Sequence, residues 1–196
     1  GFLDSENENT VSLYACFDNE EVGSNTEQGA MSTFLKTVTE RINDSLGYNR
    51  DAYYQAVARS FLVSCDNAHA VHPNHGEKTD SVNCSYMNKG PVIKENASQR
   101  YTTDACSRAV FTKICREAGV PVQYFANRRD MPGGSTLGNL SNIQVSVHAV
   151  DIGLPQLAMH SSFETAGVKD TEYAIQALKA YYSSDFEIED EMNIRF

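Results

Sequence analysis

The fold is decided by residues 91–125, which read PVIKENASQRYTTDACSRAVFTKICREAGVPVQYF. The run Pro91-Val92-Ile93-Lys94 is short and apolar, and it predicts a strand with Pro91 at its first position or at a sheet edge. Residues 104–118 predict a helix that ends at Gly119, and residues 120–125 predict another strand. A strand, a helix and a strand in succession are typical of a parallel sheet covered by helices.

The same alternation continues on both sides of this stretch. Residues 11–17 predict a fully buried strand, residues 61–63 a second one, and residues 145–150 a strand that ends near Asp151. Four further helices are predicted around them: one from about Glu27 to its stop at Gly47, one capped by Asp51, a short one near Ser135-Thr136, and one over residues 170–182. This order of elements predicts a three-layer α/β/α sandwich with a mostly parallel mixed sheet.

Composition narrows the class of protein. The chain has 196 residues, of which 41% are hydrophobic and 21% charged, so it can form one domain with a sizeable core. A net charge of −10 argues against nucleic acid and anionic membranes as partners, and no apolar run approaches the roughly 20 residues that span a bilayer. An odd number of cysteines without CxxC spacing favours buried thiols in a reducing compartment, which predicts a cytoplasmic protein. The cysteines are Cys16, Cys65, Cys84, Cys106 and Cys115.

Two adjacent glutamates, Glu20 and Glu21, follow the apolar run of residues 11–16. Like charges side by side resist joint ionisation, so such a pair at the end of a buried strand usually shares a cation or a proton. Hydrolytic metal sites use this arrangement, because one carboxylate can hold the metal while its neighbour takes a proton from the attacking water. A solvated pair at the start of a loop is the alternative, and the pair alone does not decide between them.

Two more ionisable residues are predicted at the same edge of the sheet. Asp66 follows the strand at residues 61–63, and His160 lies in the loop beyond the strand at residues 145–150. Ligands of such folds bind outside the carboxyl ends of the strands, and carboxylate and imidazole groups both bind zinc. Together with the glutamate pair these residues form a candidate metal site, with a hydrogen-bonded loop histidine as the alternative for His160.

A long polar loop is predicted over residues 67–90, and loops of this length are often functional. His69, His72 and His75 recur in it at every third residue. We do not predict a zinc-binding helix there, because Pro73-Asn74 breaks a helix and the spacing is not that of two ligands one turn apart.

Three further segments leave alternatives open. Lys94 ends its predicted strand, where its ammonium group could bind a substrate carboxylate or could simply be exposed. Pro132-Gly133-Gly134 predicts a tight turn or, before a helix, an anion-binding turn. The acidic tail of residues 185–196 predicts a solvated end or an oligomer contact.

Taken together and in order, these segments resemble the aspartyl aminopeptidase family of co-catalytic zinc aminopeptidases, whose fold is zinc-exopeptidase-like. The resemblance spans most of the chain. The matching segments are FDNEEVGS at residues 17–24, DNAHAVHPN at 66–74, KGPVIK at 89–94, QRY at 99–101, GST at 134–136 and GLPQLAMHS at 153–161.

The resemblance implies a role for each residue of the candidate metal site. Glu20 is implied to be the general base that activates water and returns a proton to the leaving amine. Glu21 and His160 are implied to bind one zinc ion, and Asp66 a second. Other divalent metals could occupy the same ligands.

The resemblance also implies the substrate contacts and the activity. Glu20 and Asp66 are implied to contact the substrate, with His69 near the oxyanion and Lys94 near an acidic side chain. The implied activity is hydrolysis of the N-terminal residue, Asp or Glu, from peptides by a homo-oligomer. A broader aminopeptidase that prefers neutral residues is a second hypothesis.

The chain departs from the family pattern at its start. The family site also uses an upstream histidine and a bridging aspartate, which have no counterpart in this sequence, and the smaller oligomerisation domain is not represented. We therefore expect residues 1–196 to be the C-terminal portion of the catalytic domain. A non-catalytic scaffold without metal is the third hypothesis for these residues alone.

Overall fold

The computed structural model describes residues 1–131, 133–190 and 193–196. The helices are α1 Phe34–Ser45, α2 Arg50–Ala58, α3 Ala105–Glu117, α4 Leu137–Gln144 and α5 Val168–Ser183. The strands are β1 Phe61–Cys65, β2 Ala68–His69, β3 Val92–Glu95, β4 Gln123–Ala126, β5 His148–Gly153, β6 Pro155–Leu157, β7 Thr165–Ala166, β8 Glu187–Ile188 and β9 Ile194–Arg195. Pro132 of the predicted 132–134 turn and residues 191–192 of the acidic tail lie outside the described residues.

The central sheet has four strands in the order β1-β5-β3-β4. Strand β1 runs parallel to β5, with Phe61 opposite His148, and β3 runs parallel to β4. The middle pair, β3 and β5, is antiparallel and places Ile93 opposite Ile152. Two of the three pairs are therefore parallel, which confirms the mostly parallel mixed sheet. Two small sheets, β2-β6-β7 and β8-β9, lie outside it.

The strand-helix-strand unit at residues 91–125 forms as the sequence predicts. Helix α3 begins at a capping box, in which the backbone N–H of Ser107 donates to Oδ1 of Asp104 at 2.7 Å and the Ser107 hydroxyl accepts from the Asp104 N–H at 3.0 Å. It ends before Gly119, whose φ of +70° suits glycine. Phe111 and Cys115 then bury the inner face of the helix in the main core.

The helices cover both faces of the sheet. Because side chains alternate along a strand, Ile93, Val150 and Ile152 share one face, where they pack with Phe111 of α3 and Ala177 of α5. Helix α4 lies against β1 and β5 on the opposite face and contacts α1, which contacts α2. This arrangement confirms the three-layer α/β/α sandwich. No helix among the described residues combines the length and apolar character needed to cross a bilayer.

The buried strand predicted at residues 11–17 does not form. The segment lies at the surface, with Val11 67% exposed and Tyr14 also exposed. A strand needs a neighbour to bind its backbone groups, and none of the described strands pairs with this run. The carbonyl of Leu13 instead accepts from the hydroxyl of Tyr182 at 3.1 Å.

Two helix starts differ from the predictions. Helix α1 begins at Phe34 and not near Glu27, because the chain before it is held in turns, among them the bond from the Met31 N–H to the Ser24 carbonyl at 2.9 Å. Helix α2 is capped by Asn49, whose side chain accepts from Ala52, so the cap is not Asp51. Either residue type can cap a helix, and the sequence alone does not fix which one does.

Two strand predictions and one thiol prediction need correction. Strand β5 does not end near Asp151, because its pairing with β1 continues and places Ile152 opposite Cys65. Pro91 precedes β3, which is an interior strand and not an edge. All five cysteines are free thiols, but only Cys115 is buried, since the others lie at strand ends, in loops or at a helix start.

Phe111 is expected to be important for the stability of the main core. Replacing Phe111→Ala removes a fully buried ring between α3 and the sheet and should lower the free energy of unfolding by about 3–5 kcal/mol. Urea denaturation followed by circular dichroism measures the loss. The matched control Val168→Ala, at an 88% exposed position, should change it by less than about 0.5 kcal/mol. Equal effects of both substitutions would contradict the core described above.

Candidate active site

The Glu20-Glu21 pair lies on a turn. The Gly23 N–H and the Ser24 hydroxyl both donate to the Glu20 carbonyl at 3.2 Å. Gly29 packs so closely against this turn that a Cβ at its position would overlap the backbone of Ser24. The glutamates are thus held by local turns and not, as predicted, by the end of a strand.

The loop after β6 brings His160 to Glu21. Its Nε2 lies 2.7 Å from Oε2 of Glu21, and both side chains are largely exposed. His160 has a φ of +66°, which is uncommon for a residue other than glycine and is frequent at functional sites. Its backbone N–H donates to Oε1 of Glu164 at 2.6 Å, a bond that helps to hold this conformation.

Glu20 lies among the other predicted site residues. Partial burial raises the pKa of Glu20, the negative charges of Asp66 and Glu21 raise it further, and His160 opposes them. A carboxyl group with a raised pKa is the kind that accepts and returns a proton near neutral pH.

Asp66 leaves β1 at a point fixed by backbone contacts. Its N–H donates to the Ile152 carbonyl at 3.0 Å, and its Oδ1 accepts from the N–H of Asn67 at 2.7 Å. A Cβ on Gly153 would overlap the carbonyl oxygen of Asp66, so glycine is required at the end of β5.

Lys94 is a buried cation beside Asp66, not an exposed strand lysine. It is 2% exposed. Its Nζ lies 3.4 Å from the Asp66 carbonyl, 3.2 Å from the Asn67 carbonyl and 3.8 Å from Oδ2 of Asp66. It also lies 5.5 Å from the centre of the Tyr101 ring. A buried ammonium group with two neutral acceptors can still bind an incoming carboxylate.

His69 carries an imidazole that is influenced by the charges of both Lys94 and His160. Desolvation and the neighbouring His160 and Lys94 lower the pKa of the His69 imidazole, while Asp66 opposes them. Strand β2 holds His69, since it pairs in register with Gln156 of β6. A cleft of about 400 Å³ opens beside it. The cleft is lined by His69, His72, Tyr101, Arg128, Gln156 and Met159, among others.

The histidines at every third residue do not form a zinc-binding helix. Apart from the short strand β2, residues 67–90 form loop and one helical turn, Gly76–Lys78. The rings of His72 and His75 lie 5.1 Å apart at the edge of the cleft. The predicted long loop is therefore confirmed.

The donor types at the site fit zinc, which binds imidazole nitrogen and carboxylate oxygen. Glu21 and His160 already lie side by side, with Asp66 supplying a further carboxylate nearby. Within residues 1–131, 133–190 and 193–196, however, no three His, Cys, Asp or Glu side chains are grouped as a metal site. The described residues thus bring together donor types that fit zinc, but not a complete set of zinc ligands.

Two buried polar residues near the site, Asp151 and Gln156, were not predicted to have a role there. Asp151 is fully buried in β5, and buried Gln156 accepts at Oε1 from the Asn67 side chain at 2.9 Å. A carboxylate within the apolar run HAVDIG was the signal available for Asp151. No comparable sequence signal marks Gln156.

Comparison with known proteins identifies relatives over almost the whole chain. A family model described as aminopeptidase I zinc metalloprotease (M18) matches residues 2–182. A probable M18 family aminopeptidase 2 of Clostridium novyi is 49% identical over 183 residues, which are 93% of this chain and 42% of the relative. Aspartyl aminopeptidase 1 of Schizosaccharomyces pombe is 40% identical over 96% of this chain and 40% of its own length. The chain thus spans about two fifths of the curated relatives it matches.

Solved structures agree with the fold. A chain in the cryo-EM structure of the Ape4 and Nbr1 complex has a TM-score of 0.82 and 42% identity, covering 85% of this chain and 32% of its own length. A chain of the S. cerevisiae mApe1 dodecamer has a TM-score of 0.73 and 28% identity, and the match covers 85% of this chain and 36% of that one. Both are similar to this chain in fold, which agrees with the predicted fold class.

The exposed Glu21–His160 pair is expected to contribute little to the stability of the fold. Because both side chains are largely exposed, Glu21→Gln and His160→Gln should each change the free energy of unfolding by less than about 1 kcal/mol. Urea denaturation of the metal-free protein measures this. A loss above about 2 kcal/mol would show that the pair is held for stability and not for binding.

Proposed function

Because the chain belongs to the aminopeptidase I zinc metalloprotease family M18, we propose that it forms the C-terminal part of the catalytic domain of an aminopeptidase. The proposed activity removes an N-terminal Asp or Glu residue from peptides. The observation that carries the proposal is the contact between Glu21 and His160 with Glu20 beside it, since one acid-base group then adjoins two zinc-type ligands.

In the proposed site Glu21 and His160 hold one zinc ion, and Asp66 contributes to a second. Zinc, when bound, polarises a carbonyl group and lowers the pKa of water. The raised pKa of Glu20 supports its role as the base that takes a proton from the attacking water and gives one to the leaving amine. His69, kept neutral by its lowered pKa, donates a hydrogen bond to the developing oxyanion.

Lys94 supplies the preference for acidic residues in this proposal. Its ammonium group is desolvated, and a charge in such a place binds a substrate carboxylate more strongly than an exposed one does. The apolar residues Leu157 and Met159 line the neighbouring cleft and favour the second candidate, an aminopeptidase that prefers neutral residues. Comparing the two substrate types therefore decides between the candidates.

The described residues do not provide a full set of zinc ligands. The chain matches about two fifths of its relatives, and the described residues bring together fewer than three grouped ligands. We propose that ligands from outside residues 1–196 complete the coordination of zinc. We also propose that the full-length protein is a cytoplasmic homo-oligomer. The five free thiols support the compartment, and the dodecamer formed by the mApe1 relative supports assembly.

The role of Glu20 is tested by Glu20→Gln in the full-length protein. Turnover of a peptide with N-terminal Asp should fall at least about 10³-fold, because the amide cannot accept the proton, while zinc content stays unchanged. Peptidase assays and elemental analysis measure the two quantities. The control Glu27→Gln changes an exposed glutamate of the same segment and should retain full activity. Retained turnover in Glu20→Gln would refute the assignment.

The role of Lys94 is tested by Lys94→Met in the full-length protein. Loss of the buried cation should lower the ratio of kcat/KM for N-terminal Asp over N-terminal Leu by about 30-fold or more. The matched control Lys169→Met removes an exposed lysine and should leave the ratio unchanged. A wild-type protein that already prefers Leu would support the broader aminopeptidase instead.

A further inference from the structure

We propose that Asp151 is a positioning residue for Lys94, acting through residues 101–103. The inference builds on the proposed function, in which Lys94 contacts an acidic substrate side chain. It concerns a residue that neither binds zinc nor touches the substrate in that proposal.

Three hydrogen bonds join Asp151 to Thr102 and Thr103, one through its carboxylate and two through its backbone. The Thr102 N–H donates to Oδ2 of Asp151 at 2.5 Å. The backbone N–H of Asp151 donates to the Thr103 hydroxyl at 2.9 Å, and that hydroxyl donates to the Asp151 carbonyl at 3.5 Å. A fourth bond comes from α4, where the Asn142 side chain donates to the Thr102 hydroxyl at 3.0 Å.

The segment held in this way carries the ring that covers Lys94. Tyr101 is buried, packs with Val92 and Phe125, and places its ring centre 5.5 Å from Nζ of Lys94. A cation near an aromatic face is attracted to it, most strongly when both are desolvated. The position of the ring therefore restricts where the ammonium group can point.

Lys94 and Asp151 also lie close to each other in the central sheet. Because Ile93 lies opposite Ile152 in an antiparallel pair, Lys94 and Asp151 are cross-strand neighbours whose side chains share the face toward α4. Lys94 makes its ion pair with Asp66 all the same. The geometry leaves Asp151 bound to the 101–103 segment and directs the lysine toward the candidate site.

Stability alone does not account for this carboxylate. Asp151 is 0% exposed, and its Oδ1 has no hydrogen-bond partner among the described residues, which is also true of the buried hydroxyl of Ser64. The two residues face each other in the β1–β5 register, and a Cβ on Gly138 of α4 would come within 2.8 Å of both. A half-satisfied buried carboxylate costs free energy, so an apolar residue would stabilise the sheet better.

The first test measures the accessibility of Lys94 without using catalysis. Acetylation of each lysine is followed by mass spectrometry in the full-length protein, wild type and Asp151→Ala. Loss of the carboxylate that accepts from the Thr102 N–H should speed the labelling of Lys94 about tenfold. The matched control Asp170→Ala removes another fully buried aspartate, which binds the Asn88 and Gly90 N–H groups before β3, and should leave the rate unchanged.

A second variant separates position from charge. Thr103→Val removes the hydroxyl that binds the Asp151 backbone but leaves every charge in place, so faster labelling in it cannot come from the loss of a neighbouring charge. It also serves if Asp151→Ala does not fold. Lys94 that stays protected in every folded variant would overturn the inference.

Kinetics then separate this inference from the proposed function. In Asp151→Ala and Thr103→Val the preference for N-terminal Asp over Leu should fall about tenfold, with the rate on Leu substrates nearly unchanged. A wild-type protein without that preference refutes the proposed specificity, while the labelling still decides the position of Lys94. Faster labelling with an unaltered preference in a protein that prefers Asp would overturn the positioning role.

Discussion

The backbone pairing between β3 and β5 is the constraint on which the other contacts depend. It joins the two parallel pairs, β1–β5 and β3–β4, into one sheet; without it each pair would be a two-stranded ribbon too small to support helices on both faces. Because the pairing is antiparallel, the carboxyl end of β3 lies at the opposite edge from that of β1. Only a long side chain can then reach back from β3 to Asp66, and Lys94 has one.

The candidate site consists of two halves with different physical character. Asp66 directly follows β1 and is held by a backbone bond, while Lys94 lies in β3 and is buried. Glu21 and His160 come from turns and are largely exposed. An exposed contact of this kind opens at small cost, so in the proposed site these two side chains can separate to admit a metal while Asp66 and Lys94 keep their geometry. The easily separated side chains of Glu21 and His160 and the firmly held side chains of Asp66 and Lys94 thus lie in different parts of the fold.

Much of this architecture could be predicted from local sequence. Asp104, Gly119 and the apolar runs around them mark α3 and its flanking strands, because capping and periodicity are local effects. The convergence of Asp66, Glu20, Glu21 and His160 was also expected. The route to it differed, since the apolar run before the glutamates is not a strand in the described fold. Strand formation depends on a partner elsewhere, and composition does not report whether that partner is present.

What the sequence did not reveal depends on contacts between distant segments. Asp151 looked like the end of a strand because a charge usually marks one, but pairing with β1 carries the strand past it. The bond from Thr102 to Asp151 joins residues 49 positions apart, so no local sequence pattern predicts it. In the same way, Asn49 and Asp51 are both suitable caps by residue type, and the structure uses Asn49.

The required glycine at the end of β5 has a consequence for how such proteins can diverge. Gly153 meets Asp66 through main-chain atoms alone, so the distance between the exits of β5 and β1 does not depend on any side chain. The chain leaves β5 at one of these exits and continues through β6 to His160, and Asp66 lies at the other. Substitutions among the residues that line the cleft can therefore accumulate without changing the main-chain spacing between these two exits.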